Sequence, residues 1–145
     1  MDNSAVIIFC SSNREDPTFE DKVKANILKN CGDIPIISVT QKPIYFGYNI
    51  CVGDDVGCSG FNFFRQKLIG MESSTAKFVI SAEADCMYPL DYFQFRPDRE
   101  DVCYRNNNLY VMPDRRSYFF HKPGGATHSQ IVGREFYIER LKMLF

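Results

Sequence analysis

The apolar positions fall into two alternating textures along the chain. Ala5 to Cys10 is an unbroken apolar run, the mark of a strand buried on both faces. Ser11-Ser12-Asn13-Arg14 follows as a loop. Asp16-Pro17 then predicts a helix start, with Asp as cap and Pro in the first turn. Phe19, Val23, Ile27 and Asn30 recur at helical spacing until Gly32 stops the helix. Ile34 to Thr40 reads as a second strand whose start, at Pro35, lacks full ladder pairing. Ile44 to Val52 is a looser extended stretch broken at Gly47. Ser59 to Ile69 predicts a second helix, with Phe61, Phe64 and Leu68 inward and Gly70 at its end. Lys77 to Ala82 is a third buried strand, ending at Glu83-Ala84-Asp85.

That alternation predicts an α/β fold around a mainly parallel sheet flanked by helices. Beyond Asp85 the texture changes. Val102-Cys103-Tyr104 and Leu109 to Met112 read as strands flanking an Asn-rich turn, and Tyr118 to His121 as another short strand. Pro123-Gly124-Gly125 is a loop. Ser129 to Leu144 reads as a final helix, with Ile131, Phe136, Ile138, Leu141 and Leu144 as its apolar contacts and Gly133 as its weak point. No repeat, linker or low-complexity segment interrupts the chain, so a single domain over 1–145 is expected.

At 145 residues, 45% hydrophobic and 24% charged, the chain can bury one continuous core without a disulfide or metal staple. The net charge of -1 offers no global basic field for a nucleic acid backbone. No apolar run approaches the roughly 20 residues of a membrane span. The opening Met1-Asp2-Asn3-Ser4 lacks the basic-then-apolar layout of a signal peptide. Six cysteines without a CxxC pair or metal-finger spacing read as reduced thiols, several of them small apolar strand residues, in a cytoplasmic protein.

Ligands of open α/β sheets bind outside the carboxyl ends of the strands. Three strands end here in polar loops, at Ser11-Ser12-Asn13, Thr40-Gln41 and Glu83-Ala84-Asp85. The third is chemically the sharpest. It delivers two carboxylates across one small residue, a pattern that either forms a solvated turn or aims both oxygen ligands at one hard cation such as Mg²⁺ or Mn²⁺.

Glu83-Ala84-Asp85-Cys86-Met87-Tyr88-Pro89, followed by Tyr92-Phe93, resembles the acidic motif of glycosyltransferases with the GT-A fold, in particular the small family 2-like transferases of bacteria and phages. Arg65-Gln66-Lys67-Leu68-Ile69-Gly70 is similar to the helix preceding that motif. Tyr104 to Asn108 and the Gly124 to His128 loop also fit. The resemblance spans roughly positions 5 to 140 and rests more on order and spacing than on any one motif.

The resemblance implies a nucleotide-sugar donor, a UDP-sugar foremost, and an acceptor of unspecified chemistry. It implies Mn²⁺ or Mg²⁺ held by Asp85 and Glu83, with His128 completing the metal shell. Ser11, Ser12, Asn13, Thr40, Gln41 and Gln66 fall where such proteins contact the nucleoside; capping and turn hydrogen bonds are the competing role for the loop residues. Asp85 is the expected catalytic carboxylate at the metal, and Glu135 and Asp114 are the remaining candidates for the base that activates the acceptor. The acidic pair usual after the glycine loop is absent in its usual form, and Arg134-Glu135 is its nearest approach. Two other classes stay open. One is a nucleotidyltransferase, against which Ser11 to Arg14 lacks a glycine-rich triphosphate loop. The other is a non-catalytic binding protein on the same scaffold.

Overall fold

The computed structural model describes residues 4–113 and 115–145. The opening residues 1–3 lie outside it. The elements are β1 (Ala5–Ser11), α1 (Pro17–Asn30), β2 (Ile36–Thr40), β3 (Tyr48–Cys51), α2 (Gly60–Glu72), β4 (Phe78–Glu83), α3 (Leu90–Gln94), β5 (Cys103–Arg105), β6 (Leu109–Val111), β7 (Phe120–Lys122), β8 (Gln130–Gly133) and α4 (Arg134–Lys142). A 3-10 turn, Thr127–Ser129, leads into β8.

Six strands form one mixed sheet in the order β3-β2-β1-β4-β8-β5. The first four are parallel. β8 runs antiparallel between β4 and β5. The expected α/β class and mainly parallel sheet are therefore present, in one compact domain. Residues alternate between the two faces of β1. Ala5, Ile7 and Phe9 pack against Val23 and Ile27 of α1. Val6, Ile8 and Cys10 pack with Met71 of α2 and with Ile138 and Leu141 of α4. Burial on both faces is why these strands read as continuous apolar runs.

The first helix forms as its sequence dictates. Asp16 accepts the Phe19 backbone N–H at 3.0 Å, and Pro17 opens the first turn. The second helix is Ser59-capped but runs past Gly70, contrary to expectation. Gly70 is instead a contact residue: a Cβ there would lie 2.9 Å from the Ile8 and Val39 methyls, so only glycine lets α2 sit this close to the sheet. The inward stripe is also rotated. Phe61 is exposed, while Gln66, Lys67, Gly70 and Met71 are buried.

The largest departure lies at the C-terminal end. Ser129 to Leu144 is not one helix but a turn, the strand β8 and the shorter α4. Ile131 keeps helical phase with Ile138 and Leu141, and all three are buried, so periodicity alone cannot separate the two. Gly133 decides it. A Cβ there would lie 2.0 Å from the Glu100 carbonyl oxygen, and the chain turns from strand to helix at that contact. β5 and β6 also do not pair with each other across the Asn-rich stretch. β5 joins β8, and β6 pairs with β7 in a separate ribbon. The ribbon leaves the sheet at a neck where the Asn106 N–H donates to the Ser129 carbonyl at 2.9 Å.

Candidate functional site

β1 connects to β2 on one side through α1, and β4 lies on its other side, reached through α2. The topological switch point of the sheet is thus between the carboxyl ends of β1 and β4, where open α/β folds bind ligands. A cleft of ≈ 120 Å³ lies there. Ser12, Gln41, Gln66, Glu83 and Asp85 line it together with Cys10. Cys10 and Glu83 are register partners on adjacent strands, so their side chains stand together on the α2 face.

The two carboxylates differ. Asp85 is exposed at the cleft mouth, where its Oδ1 accepts from the Cys86 thiol at 3.3 Å. Glu83 is half-buried. Burial pushes its carboxyl above the ordinary range, Asp85 adds to the rise, and Lys67 opposes it. Lys67 is fully buried beneath the cleft. Its Nζ donates to Ser81 Oγ at 3.1 Å and sits 4.6 Å from the centroid of the Phe63 ring. Burial lowers its affinity for its proton, while Cys10 and Glu83 raise it. Burial also pushes the Cys10 thiol up to about 12, so it stays protonated and inert.

Tyr88 ties the acidic turn to the late loop. Its hydroxyl accepts the Glu83 N–H at 2.9 Å and donates to the His128 carbonyl at 2.7 Å. His128 is therefore drawn to the Glu83–Asp85 turn. Burial lowers its proton affinity, and the Asp85 charge pulls it back up. The imidazole is neutral at neutral pH.

The other expected contacts separate into lining and framework. Gln66 Nε2 donates to the carbonyls of Ser11 at 3.2 Å and Val39 at 2.9 Å, closing the tops of β1 and β2 beside the cleft. Gln41 donates to the Gly57 carbonyl at 2.7 Å and accepts from Arg14 at 2.8 Å, which brings a guanidinium to the rim. Ser12 lines the cleft. Ser11 lines it too, but its hydroxyl turns to the α1 face and donates to the buried Glu20 at 3.0 Å. Asn13, at φ 56, uses its Oδ1 to accept the N–H groups of Gln41 and Lys42, and it is not in the cleft wall. Thr40 is buried and donates to the Lys42 carbonyl at 2.6 Å. Asn13 and Thr40 thus fill the capping role that competed with nucleoside contact.

Glu135 is not at this rim. Gly133 pairs with Phe78 at the far end of β4, and the Arg134 N–H donates to the Lys77 carbonyl. A strand rises roughly 3.3 Å per residue, which puts Glu135 on the order of 16 Å or more from Glu83. Its carboxylate is exposed and paired with Arg134. Antiparallel β8 carries the chain away from the rim before α4 starts, so the expected base role fails on topology. Asp114 lies outside the described residues. Among the described residues, no three His, Cys, Asp or Glu side chains form a ready metal-ligand group.

Lys67 and Cys10 were not legible as site residues. A helical lysine reads as solvated by default, yet Lys67 falls four residues from both Phe63 and Met71, on the buried stripe. That spacing was the available signal. Among the described residues, no helix is long and apolar enough to cross a membrane, and the six cysteines are free.

The fold and site together define an α/β domain with an acidic cleft at its switch point. Compared with known proteins, the chain matches no family model, no curated protein and no solved structure.

Proposed function

We propose that the chain is a metal-dependent glycosyltransferase of GT-A type that moves a sugar from a nucleotide-sugar donor to an acceptor hydroxyl. The observation that carries this reading is the seat of Glu83 and Asp85, two carboxylates one residue apart on the cleft at the switch point. The donor set suits Mg²⁺ or Mn²⁺. These hard cations take oxygen ligands and keep water and substrate phosphate in their shell, so two carboxylates without a third protein ligand fit a site shared with a diphosphate. Glu83 and Asp85 would hold the ion, and its bound presence would supply Lewis-acid stabilisation of the departing diphosphate.

The chain's own residues do the rest. Lys67 beneath the floor favours the charged form of Glu83. Arg14, fixed by Gln41, presents a cation at the rim for phosphate oxygens. His128, neutral and drawn to the acidic turn, can take the proton of an acceptor hydroxyl or serve as a nitrogen ligand. The cleft admits a diphosphate-sized group, and the rest of the donor lies along the open rim by Gln41 and Ser59.

The absence of Glu135 from the rim favours a second reading, a non-catalytic binder on the same scaffold. Two measurements decide. Calorimetric titration with UDP should show tighter binding in Mn²⁺ than in EDTA, and equal affinity would remove the metal role. Release of UDP from a panel of UDP-sugars into water should exceed the buffer rate. Metal-dependent binding without that release would leave the binder.

A further inference from the structure

A second cavity, of ≈ 350 Å³, opens between α3 and β5. This is within the lower range of small-molecule sites, roughly 300–1,000 Å³. Asp91, Tyr92, Phe95, Tyr104, Arg105 and Asn106 line it, over Ile131. Its floor is rigid. The Tyr92 hydroxyl donates to the carbonyls of Ser81 at 2.8 Å and Gln130 at 3.1 Å, clamping α3 to two sheet strands.

The walls combine two chemistries. Phe95 and Tyr104 form an aromatic corner, with centroids 5.3 Å apart and planes tilted by 52°. Phe95 remains 44% exposed. Asp91 and Arg105 bear opposite charges on one cavity, yet they make no ion pair with each other or with any other described residue. Among the described residues the Asp91 carboxylate accepts no hydrogen bond, and Arg105 commits only Nε, to Gln130 at 3.3 Å. Asn106 accepts from the Asn108 N–H, which leaves its amide N–H₂ to donate. The cavity therefore offers a pure acceptor, a pure donor and an amide around an open aromatic face, with no net charge. Hydroxyls both donate and accept, and the C–H face of a sugar ring packs on an aromatic ring.

We infer that this cavity is a carbohydrate-binding site that takes a neutral saccharide residue. Its position gives it a role. β5 runs in the direction of β4, and Arg105 pairs with Gln130 at the start of β8, near the rim end of the sheet. Two strand spacings of about 4.8 Å separate β5 from β4. The cavity thus opens on the order of 10 Å along the rim from the acidic turn, on the α1 face. On the transferase reading above, a saccharide seated here is the acceptor, or the part of it that stays bound while a neighbouring hydroxyl reacts. The binding itself does not depend on that reading.

The test is a ¹H–¹⁵N amide titration of the whole chain, without donor or metal, using the methyl glycosides of glucose, galactose, mannose and N-acetylglucosamine. At least one should shift the amides of 91–95 and 103–106 with a Kd in the millimolar range, and Asp91→Asn and Arg105→Gln should each weaken it about tenfold or more. Both residues are exposed, and an unchanged amide spectrum elsewhere shows that each variant is folded. Absence of shifts in those segments for all four glycosides would overturn the inference. Shifts with a zwitterionic amino acid such as L-threonine, and with none of the glycosides, would assign capture of paired charges and overturn it as well. Sugar binding that Asp91→Asn abolishes, in a protein that releases no UDP from any UDP-sugar, would keep the site and defeat the transferase reading. Transfer to a saccharide that Asp91→Asn and Arg105→Gln leave unchanged would do the reverse.

Discussion

Lys67→Met is expected to stabilise the protein while impairing its acidic cleft. The ammonium is fully buried, and no carboxylate among the described residues lies within ion-pair distance. Removing a charge from such a place recovers a desolvation penalty of several kcal/mol. Against that stand one charge-assisted hydrogen bond to Ser81, about 1.5–3 kcal/mol, and a cation–π contact with Phe63, about 0.5–2 kcal/mol. Methionine fills a similar volume and keeps a sulfur–aromatic contact. The net expectation is a gain of about 1–2 kcal/mol at neutral pH, a rise in Tm of roughly 3–8 °C for a chain of this size.

The pH dependence gives a second reading of the same change. Burial holds the folded-state value of Lys67 below its ordinary 10.5. Between the two, the unfolded chain binds more protons than the folded one, so wild type gains stability from this group as pH rises toward 10.5. The variant lacks that gain. Cys10 and the buried tyrosines act in the opposite direction, since their raised values make the native state the better proton holder, but both proteins share them. The difference between the two stability curves therefore reports Lys67 together with its charge coupling to Glu83 and Cys10. Urea unfolding between pH 6 and 10 measures it. A variant less stable than wild type by 3 kcal/mol or more at pH 7, or a difference independent of pH, would refute the reasoning. In the cleft, Glu83 loses its opposing positive charge and moves further up, so the acid limb of Mn²⁺-dependent UDP binding should shift to higher pH.

Asp85→Asn should leave the apo melting temperature unchanged or slightly higher, because the carboxylate is exposed and its removal relieves Glu83; UDP release should fall on the order of 10²–10³-fold, by analogy with the loss of one preorganised electrostatic contact. Turnover within threefold of wild type would remove Asp85 from the site. Timed labelling with iodoacetamide should modify exposed Cys51 and Cys58 first and leave Cys10 untouched until unfolding, read by peptide mass spectrometry. Gly133→Ala forces a Cβ onto the Glu100 carbonyl and should cost more than about 3 kcal/mol or prevent folding, whereas Gly124→Ala, with open space but a positive φ, should cost about 1 kcal/mol; equal melting of the two would contradict the contact.

The parallel half of the fold was legible because local and global signals agree there. Asp16-Pro17 caps and opens α1, Val23 and Ile27 face the sheet, and doubly buried strands read as apolar runs. The acidic turn was legible because the strand order carries its strand end to the switch point. What escaped sequence reasoning depended on partners distant in the chain. Gly70 and Gly133 look like helix breakers in isolation, and only Ile8, Val39 and Glu100 show that they are contact points. A four-residue strand such as β8 leaves too short a period to distinguish from a helical turn. Lys67 escaped because a buried ammonium contradicts the ordinary preference of its residue type, and such contradictions collect at working sites.

The neck at Asn106 and Ser129 has an evolutionary consequence. One hydrogen bond there pins both ends of an excursion that carries the β6–β7 ribbon, and the ribbon shares no strand pairing with the main sheet. The entropy of closing such an excursion grows only with the logarithm of its length, so halving or doubling it changes stability by only about 0.6 kcal/mol. Insertions and deletions between 107 and 126 can accumulate at little thermodynamic expense, while the acidic turn and His128, fastened together by Tyr88, keep their spacing. The ribbon is where descendants of this chain can change what they touch without relearning how to fold.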